Sequence, residues 1–281
     1  MQPIKVTNSD YPPEFPPGWA AIWGEDQYGL YADLVVEVEK GLSQRFRWLG
    51  PGEFMMGSPA SEKDRYDDEN YHQVTLSQGF WLADSTVNQA LWQAVMGENP
   101  AKFVAANKPV EQVSWQDSKS FIDRLNERFG PSLAGLHFRL PTEAEWEHGC
   151  RAGTTSPFSF GANISPQLVN YNGKYPYDDG EKGDYRAETV EVKSLSPNPW
   201  GLYEMHGNVW EWCADYWQKQ LGEQAVSDPY TSVGSGRVMR GGSWGNCGRD
   251  VRSAYRRHYS PALGSLNFGF RLLLGHELKS R

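Results

Sequence analysis

Three cysteines and six histidines hold most of the reactive chemistry open to this 281-residue chain. A thiolate is a nucleophile and a soft-metal ligand, and paired thiolates suit copper(I) in particular. Cys150, Cys213 and Cys247 lie far apart in sequence. Their odd number and wide spacing fit free thiols in a reducing compartment better than a disulfide framework. Cys150 falls on a helical segment and Cys213 follows a tryptophan, so both read as small buried hydrophobes. Cys247 sits in a polar loop with Arg249 as its nearest cation in sequence. Activating it would need that cation, or a helix N-terminus, against the sulfur. His72, His137, His148, His206, His258 and His276 form no H-x-H, H-x-x-x-H or H-E-x-x-H pattern, and the chain has no G-x-x-x-x-G-K-[ST] loop.

The elements that must position these groups belong to one large domain with a sizeable core. Twelve Trp and 29 Gly point to an irregular, loop-rich fold packed with aromatic rings. The net charge is −8 without a Lys/Arg-rich run, so the basic face that a nucleic acid needs is missing. The longest apolar runs fall short of the 18 residues of a transmembrane span. Tyr11-Pro12-Pro13-Glu14-Phe15-Pro16-Pro17 reads as a stiff extended lead-in rather than a signal peptide, so a cytoplasmic location is expected.

Residues 1–28 read as an N-terminal arm and 29–281 as a single domain. Leu30, Ala32, Leu34, Val36 and Val38 alternate with mostly polar or small neighbours, and Arg45-Phe46-Arg47-Trp48 alternates again. With Lys40-Gly41 as the turn, this predicts an added hairpin over 29–48. Further strands are expected at Phe54–Ser58, His72–Leu76 and Phe80–Leu82. Helices are expected from about Val87 to Met96, stopped by Gly97, and from Ser114 to Phe129, where Ser118, Ile122, Leu125 and Phe129 share a face. A third follows the capping box Thr142-Glu143-Ala144-Glu145. From Thr154 onward the chain is Gly, Asn, Pro and aromatic residues with little periodicity.

Four strings punctuate this layout: Phe54-Met55-Met56-Gly57-Ser58, Arg139-Leu140-Pro141-Thr142-Glu143-Ala144-Glu145-Trp146-Glu147, Gly201-Leu202-Tyr203-Glu204-Met205-His206-Gly207-Asn208-Val209-Trp210-Glu211-Trp212, and Arg240-Gly241-Gly242-Ser243-Trp244 followed by Asn267-Phe268-Gly269-Phe270-Arg271. In this order they resemble the formylglycine-generating enzyme (sulfatase-modifying factor) family from Arg47 to Leu274. The resemblance implies an α+β, C-type-lectin-like fold of the formylglycine-generating-enzyme type, with short antiparallel strands and about three helices.

The resemblance also implies a chemistry. The family's enzyme oxidises a substrate cysteine to formylglycine with O₂ and copper(I), held by two cysteines three and eight residues after the serine of Gly-Gly-Ser. Those positions are Asn246 and Val251 here, with Cys247 alone and one place off. One thiolate cannot make a bis-thiolate site, so no copper site is expected and no residue is assigned as catalytic. Ser243 and Trp210 match residues near the enzyme's oxygen pocket and read as packing and turn residues. The enzymes also bind structural calcium. By motif position one site would use Glu204, Gly207, Val209 and Glu211; a weaker one would use Asn170 and Tyr171 with an acid near Asp184. Backbone and side-chain oxygens from tight loops suit a hard cation.

Residues 245–267, GNCGRDVRSAYRRHYSPALGSLN, fill the cysteine stretch with Tyr, Arg, His, Asn, Ser and Gly, the residue types of binding surfaces. A fixed frame around such an insert resembles the variable proteins of diversity-generating retroelements, whose adenine-directed mutagenesis at codons ending in a pyrimidine cannot produce Lys, Glu, Gln, Met or Trp. These five types make up 62 of the 281 residues, which would place about five in a 23-residue stretch, and this stretch holds none. The expected ligand-binding residues are Asn246, Cys247, Asp250, Tyr255, Arg257, His258, Tyr259, Leu263 and Ser265, with Val251, Ala254 and Ala262 as their buried complement. The expected function is thus a non-catalytic, receptor-like protein for a protein or small-molecule ligand. The competing expectation is an oxidoreductase of the family acting on a cysteine substrate.

Overall fold

The computed structural model describes residues 4–5, 11–37 and 41–278. The strands run β1 (Ile4–Lys5), β2 (Glu14–Phe15), β3 (Ile22–Asp26), β4 (Gly29–Glu37), β5 (Leu42–Leu49), β6 (Gly52–Met56), β7 (His72–Leu76) and β8 (Phe80–Ala83). Helices α1 (Gln89–Met96) and α2 (Trp115–Phe129) follow, then β9 (His137–Arg139) and α3 (Glu143–Arg151). The C-terminal part adds β10 (Trp210–Tyr216), β11 (Val226–Ser227), β12 (Arg237–Arg240), β13 (Arg257–Tyr259), β14 (Phe268–Gly269) and β15 (Leu273–Gly275).

Each helix begins where a side chain satisfies its free N–H groups. Asn88 accepts from Leu91 N at 2.8 Å, and Ser114/Asp117 and Thr142/Glu145 form reciprocal capping boxes. Gly97 ends α1 at φ 91°, a left-handed turn that glycine adopts without strain. On α2, Ser118, Phe121, Ile122 and Leu125 are buried, and Phe121 stacks on Trp92 of α1 with ring centroids 5.3 Å apart.

Both helices pack on a six-stranded sheet of order β3-β4-β5-β8-β15-β9. The expected hairpin is present as antiparallel β4 and β5. Gly41 has φ 62°, while Lys40 and Val38 lie outside the described residues. The N-terminal arm is part of the body. β3 continues the sheet at its edge, Trp19 is buried, and Trp19, Trp48 and Phe15 all pack on Trp81. A second sheet, β13-β12-β10-β14, carries the C-terminal strings and packs against α3. Sequence reading missed β10: its first six residues are all buried, so Glu211 and Asp215 on one face mark no solvent side.

Candidate ligand-binding face

The frame around the insert is held by buried ion pairs. Arg271 on the β14–β15 link donates from Nε to Glu211 Oε2 at 2.6 Å and from Nη2 to Oε1 at 2.7 Å, and Trp146 Nε1 donates to Oε2 at 2.7 Å. Arg240 at the end of β12 pairs with Glu143 and Glu147 of α3, and Arg256 grips Glu143 with two bonds at 2.6 and 2.8 Å. Arg252 closes on Glu69 and Glu62, tying the insert to the charged loop at 61–70. Such pairs require both members, because a single buried charge is costly.

Within this frame the copper positions are filled by other chemistry. Asn246 Oδ1 accepts from Ser243 N at 3.1 Å and from Ser243 Oγ at 2.7 Å, pinning a turn, and Val251 is fully buried. Gly241-Gly242-Ser243-Trp244-Gly245 matches the letters of a G-x-S-x-G nucleophile elbow. Ser243, however, is buried and its Oγ is committed to Asn246 and Asn267. Cys247 is half-buried and donates to Asp250 Oδ2 at 3.1 Å; burial and that carboxylate push its pKa up, away from a reactive thiolate. Cys150 and Cys213 are buried, and burial drives Cys150 to about 12.

The insert divides into an inner and an outer set. Arg257, His258 and Leu263 are exposed; Asn246, Cys247, Asp250, Tyr259 and Ser265 are half-buried. Tyr255 departs from expectation. Only 7% exposed, it packs on Tyr66 and Trp210 and is a core residue, not a surface one. Ala254 and Val251 are buried as expected, whereas Ala262 is exposed. The discrepancies arise in the irregular segment between the 3-10 turn Gly248–Val251 and β13 and at the turn after β13, where no single period governs side-chain direction. His258 stacks on Trp217 at 4.6 Å and Tyr259 meets Phe268 at 4.8 Å in a tilted contact, so both side chains rest on aromatic rings. Tyr66 also joins this face, with its hydroxyl 3.4 Å from Asp250 and Arg249 over its ring. Its approach from 184 residues away leaves no local sequence signal.

The calcium positions can be judged by their donors. Both Glu211 oxygens are engaged by Arg271 and Trp146, and a cation there would meet the guanidinium, so the set Glu204, Gly207, Val209 and Glu211 does not fit calcium as arranged. Glu204 is buried and accepts from Lys193 N and Leu195 N, and burial pushes it up to about 7. Val209 is buried, and Gly207 holds φ 74° where an added Cβ would meet Asn170 O at 2.3 Å. Asn170 is different. Its Nδ2 donates to Glu188 O and Asn208 Oδ1, which orients the amide, while its own Oδ1 is buried with no partner. An oriented, unpaired oxygen fits a hard cation. Tyr171 is buried beside it and Asp184 is exposed on the neighbouring loop.

The Sulfatase-modifying factor enzyme 1-like domain matches residues 32–275. The chain belongs to this family. The match starts inside β4 and takes in β5. The formylglycine-generating enzyme of Mus musculus is 32% identical over 215 residues, covering 73% of this chain and 54% of that protein. That of Thermomonospora curvata is 34% identical over 209 residues, covering 68% and 63%. The chain therefore spans between half and two-thirds of these relatives. Among solved structures, Treponema denticola variable protein 1 superposes with a TM-score of 0.73 at 27% identity, covering 86% of this chain and 98% of that one. The α+β, C-type-lectin-like fold of the family is thus the fold of this chain.

Proposed function

We propose that this protein is a non-catalytic binding protein that uses the family scaffold to present a diversifiable ligand face at 245–267. One observation carries the reading: the two positions of the family's copper cysteines hold a turn-pinning Asn246 and a fully buried Val251. The remaining insert thiol, Cys247, is held by an acid rather than paired with a second sulfur. The likeness to a variable protein supports the same reading. Arg257, His258, Tyr259 and Leu263, with Asn246, Asp250 and Ser265 at the margin, would meet a protein or small-molecule ligand. Tyr and Arg would supply most of the affinity. Calcium in this reading is structural and is held by Asn170 and Tyr171 with Asp184, on the strength of the unpaired Asn170 oxygen.

The competing function, oxidation of a substrate cysteine, is favoured by the 32–34% identity to formylglycine-generating enzymes. One assay separates the two. The protein incubated with copper(I), O₂ and a cysteine-containing peptide should form no formylglycine; formation abolished by Cys247→Ser overturns the binding reading. The diversification claim is read from neighbouring DNA. A near-copy of the 245–267 segment differing mainly at adenines, beside a reverse transcriptase, is the expected finding, and its absence removes that claim.

A further inference from the structure

A second concave site lies far from the insert in fold terms, between the N-terminal arm and the six-stranded sheet. It has a volume of about 520 Å³, within the range of small-molecule pockets. Tyr11 and Pro13 form one wall, Trp48 and Trp81 line it from β5 and β8, and Leu136 and Leu274 face it from the β9 side. Gln78, which is exposed, adds a polar group, as do Glu14, Ser77 and His276 at its edges. The arm wall precedes residues 32–275, so it lies outside the part of the chain that the family domain matches.

Two properties define what such a site takes. First, its walls are mostly apolar, and water there finds few of the two to four polar partners that an ordered molecule needs. Second, it presents the flat rings of Tyr11, Trp19, Trp48 and Trp81. Trp48 meets Trp81 at 5.4 Å in a tilted arrangement, and Trp19 meets Trp81 edge-on at 5.7 Å. Aromatic faces favour offset stacking or edge contact with another flat ring over contact with a puckered aliphatic one. Among the described residues Glu14 and His276 line the cavity and no Lys or Arg does, so a neutral compound suits it better than an anion.

We propose that this cavity binds a small neutral compound built on a flat, fused aromatic ring system. The proposal is independent of the C-terminal face. The test is a calorimetric titration of the full chain with 2-naphthol, with cyclohexanol as the puckered comparison. Saturable one-to-one binding of 2-naphthol is expected, at least tenfold tighter than cyclohexanol. Leu136→Arg should weaken it tenfold or more, and Tyr11→Ala, at a 36%-exposed residue, severalfold with the fold intact. Val233→Arg, at a 72%-exposed residue outside the cavity, should leave the affinity unchanged. The proposal is overturned if 2-naphthol does not saturate, if cyclohexanol binds equally well, or if folded Tyr11→Ala and Leu136→Arg proteins both bind as tightly as the original.

Discussion

Glu211 illustrates how one residue type supports two readings. A glutamate in the string Gly207-Asn208-Val209-Trp210-Glu211 can be a calcium ligand or an ion-pair partner, and the string alone does not distinguish them. The structure gives it to Arg271, with three bonds between 2.6 and 2.7 Å counting Trp146, and both charged side chains are fully buried. Losing one member leaves the other charged in a low-dielectric core. Arg271→Met should therefore cost about 3–5 kcal/mol of stability. The double variant Arg271→Met/Glu211→Leu should recover much of that loss, since an apolar pair of similar volume avoids the uncompensated charge. Urea unfolding of the three proteins checks this. A double variant less stable than the single one would mean that losing the bond Glu211 accepts from Trp146 outweighs the relief of its unpaired charge.

At the level of elements, legibility in the sequence follows the local signals. The three helices were readable because Asn88, Ser114 and Thr142 cap them and Gly97 stops the first. β7 was readable because His72–Leu76 keeps a buried–exposed alternation along most of its length. β10 was not, because both of its faces are covered, and the inward turn of Tyr255 depends on Tyr66 and Trp210, residues remote in sequence. The loops at 170–190 and 204–209 meet at the Asn170–Gly207 bridge, and Asn208 N donates to Asn170 O at 2.8 Å. If the unpaired Asn170 Oδ1 holds calcium, the ion fastens two otherwise irregular loops to each other. At a hundredfold excess of calcium over its Kd, binding adds about 2.7 kcal/mol, or roughly 5–10 °C in Tm for a chain of this size. Addition of EGTA should reverse that gain, and Asn170→Leu should make Tm indifferent to both. A wild-type Tm that ignores calcium and EGTA removes the site.

At the scale of the whole molecule, two buried acids and two buried histidines respond to pH in opposite directions. Burial, aided by Glu143, raises Asp215 to about 7, and burial raises Glu204 to about 7. Each holds its proton more tightly when folded, so its contribution is complete below an unfolded pKa near 4 and is lost as pH rises through 7. Burial lowers His148 and His206 to about 4. Their contribution is complete above the unfolded value of 6.5 and is lost as pH falls towards 4. Between pH 4.5 and 6.5 the two pairs therefore act in opposite directions and offset each other. Removing one histidine exposes the balance. His148 lies between Phe54 and Trp200, with ring centroids at 5.0 and 4.9 Å, so His148→Phe keeps a flat ring in place while deleting the imidazole. Relative to the original protein, this variant should gain about 2 kcal/mol at pH 5, where the unfolded imidazole is protonated and the folded one is not. The gain should vanish above pH 6.5. Urea midpoints at pH 5 and 7.5 provide the measurement, and a stability difference that is the same at both values would show that His148 does not titrate on unfolding.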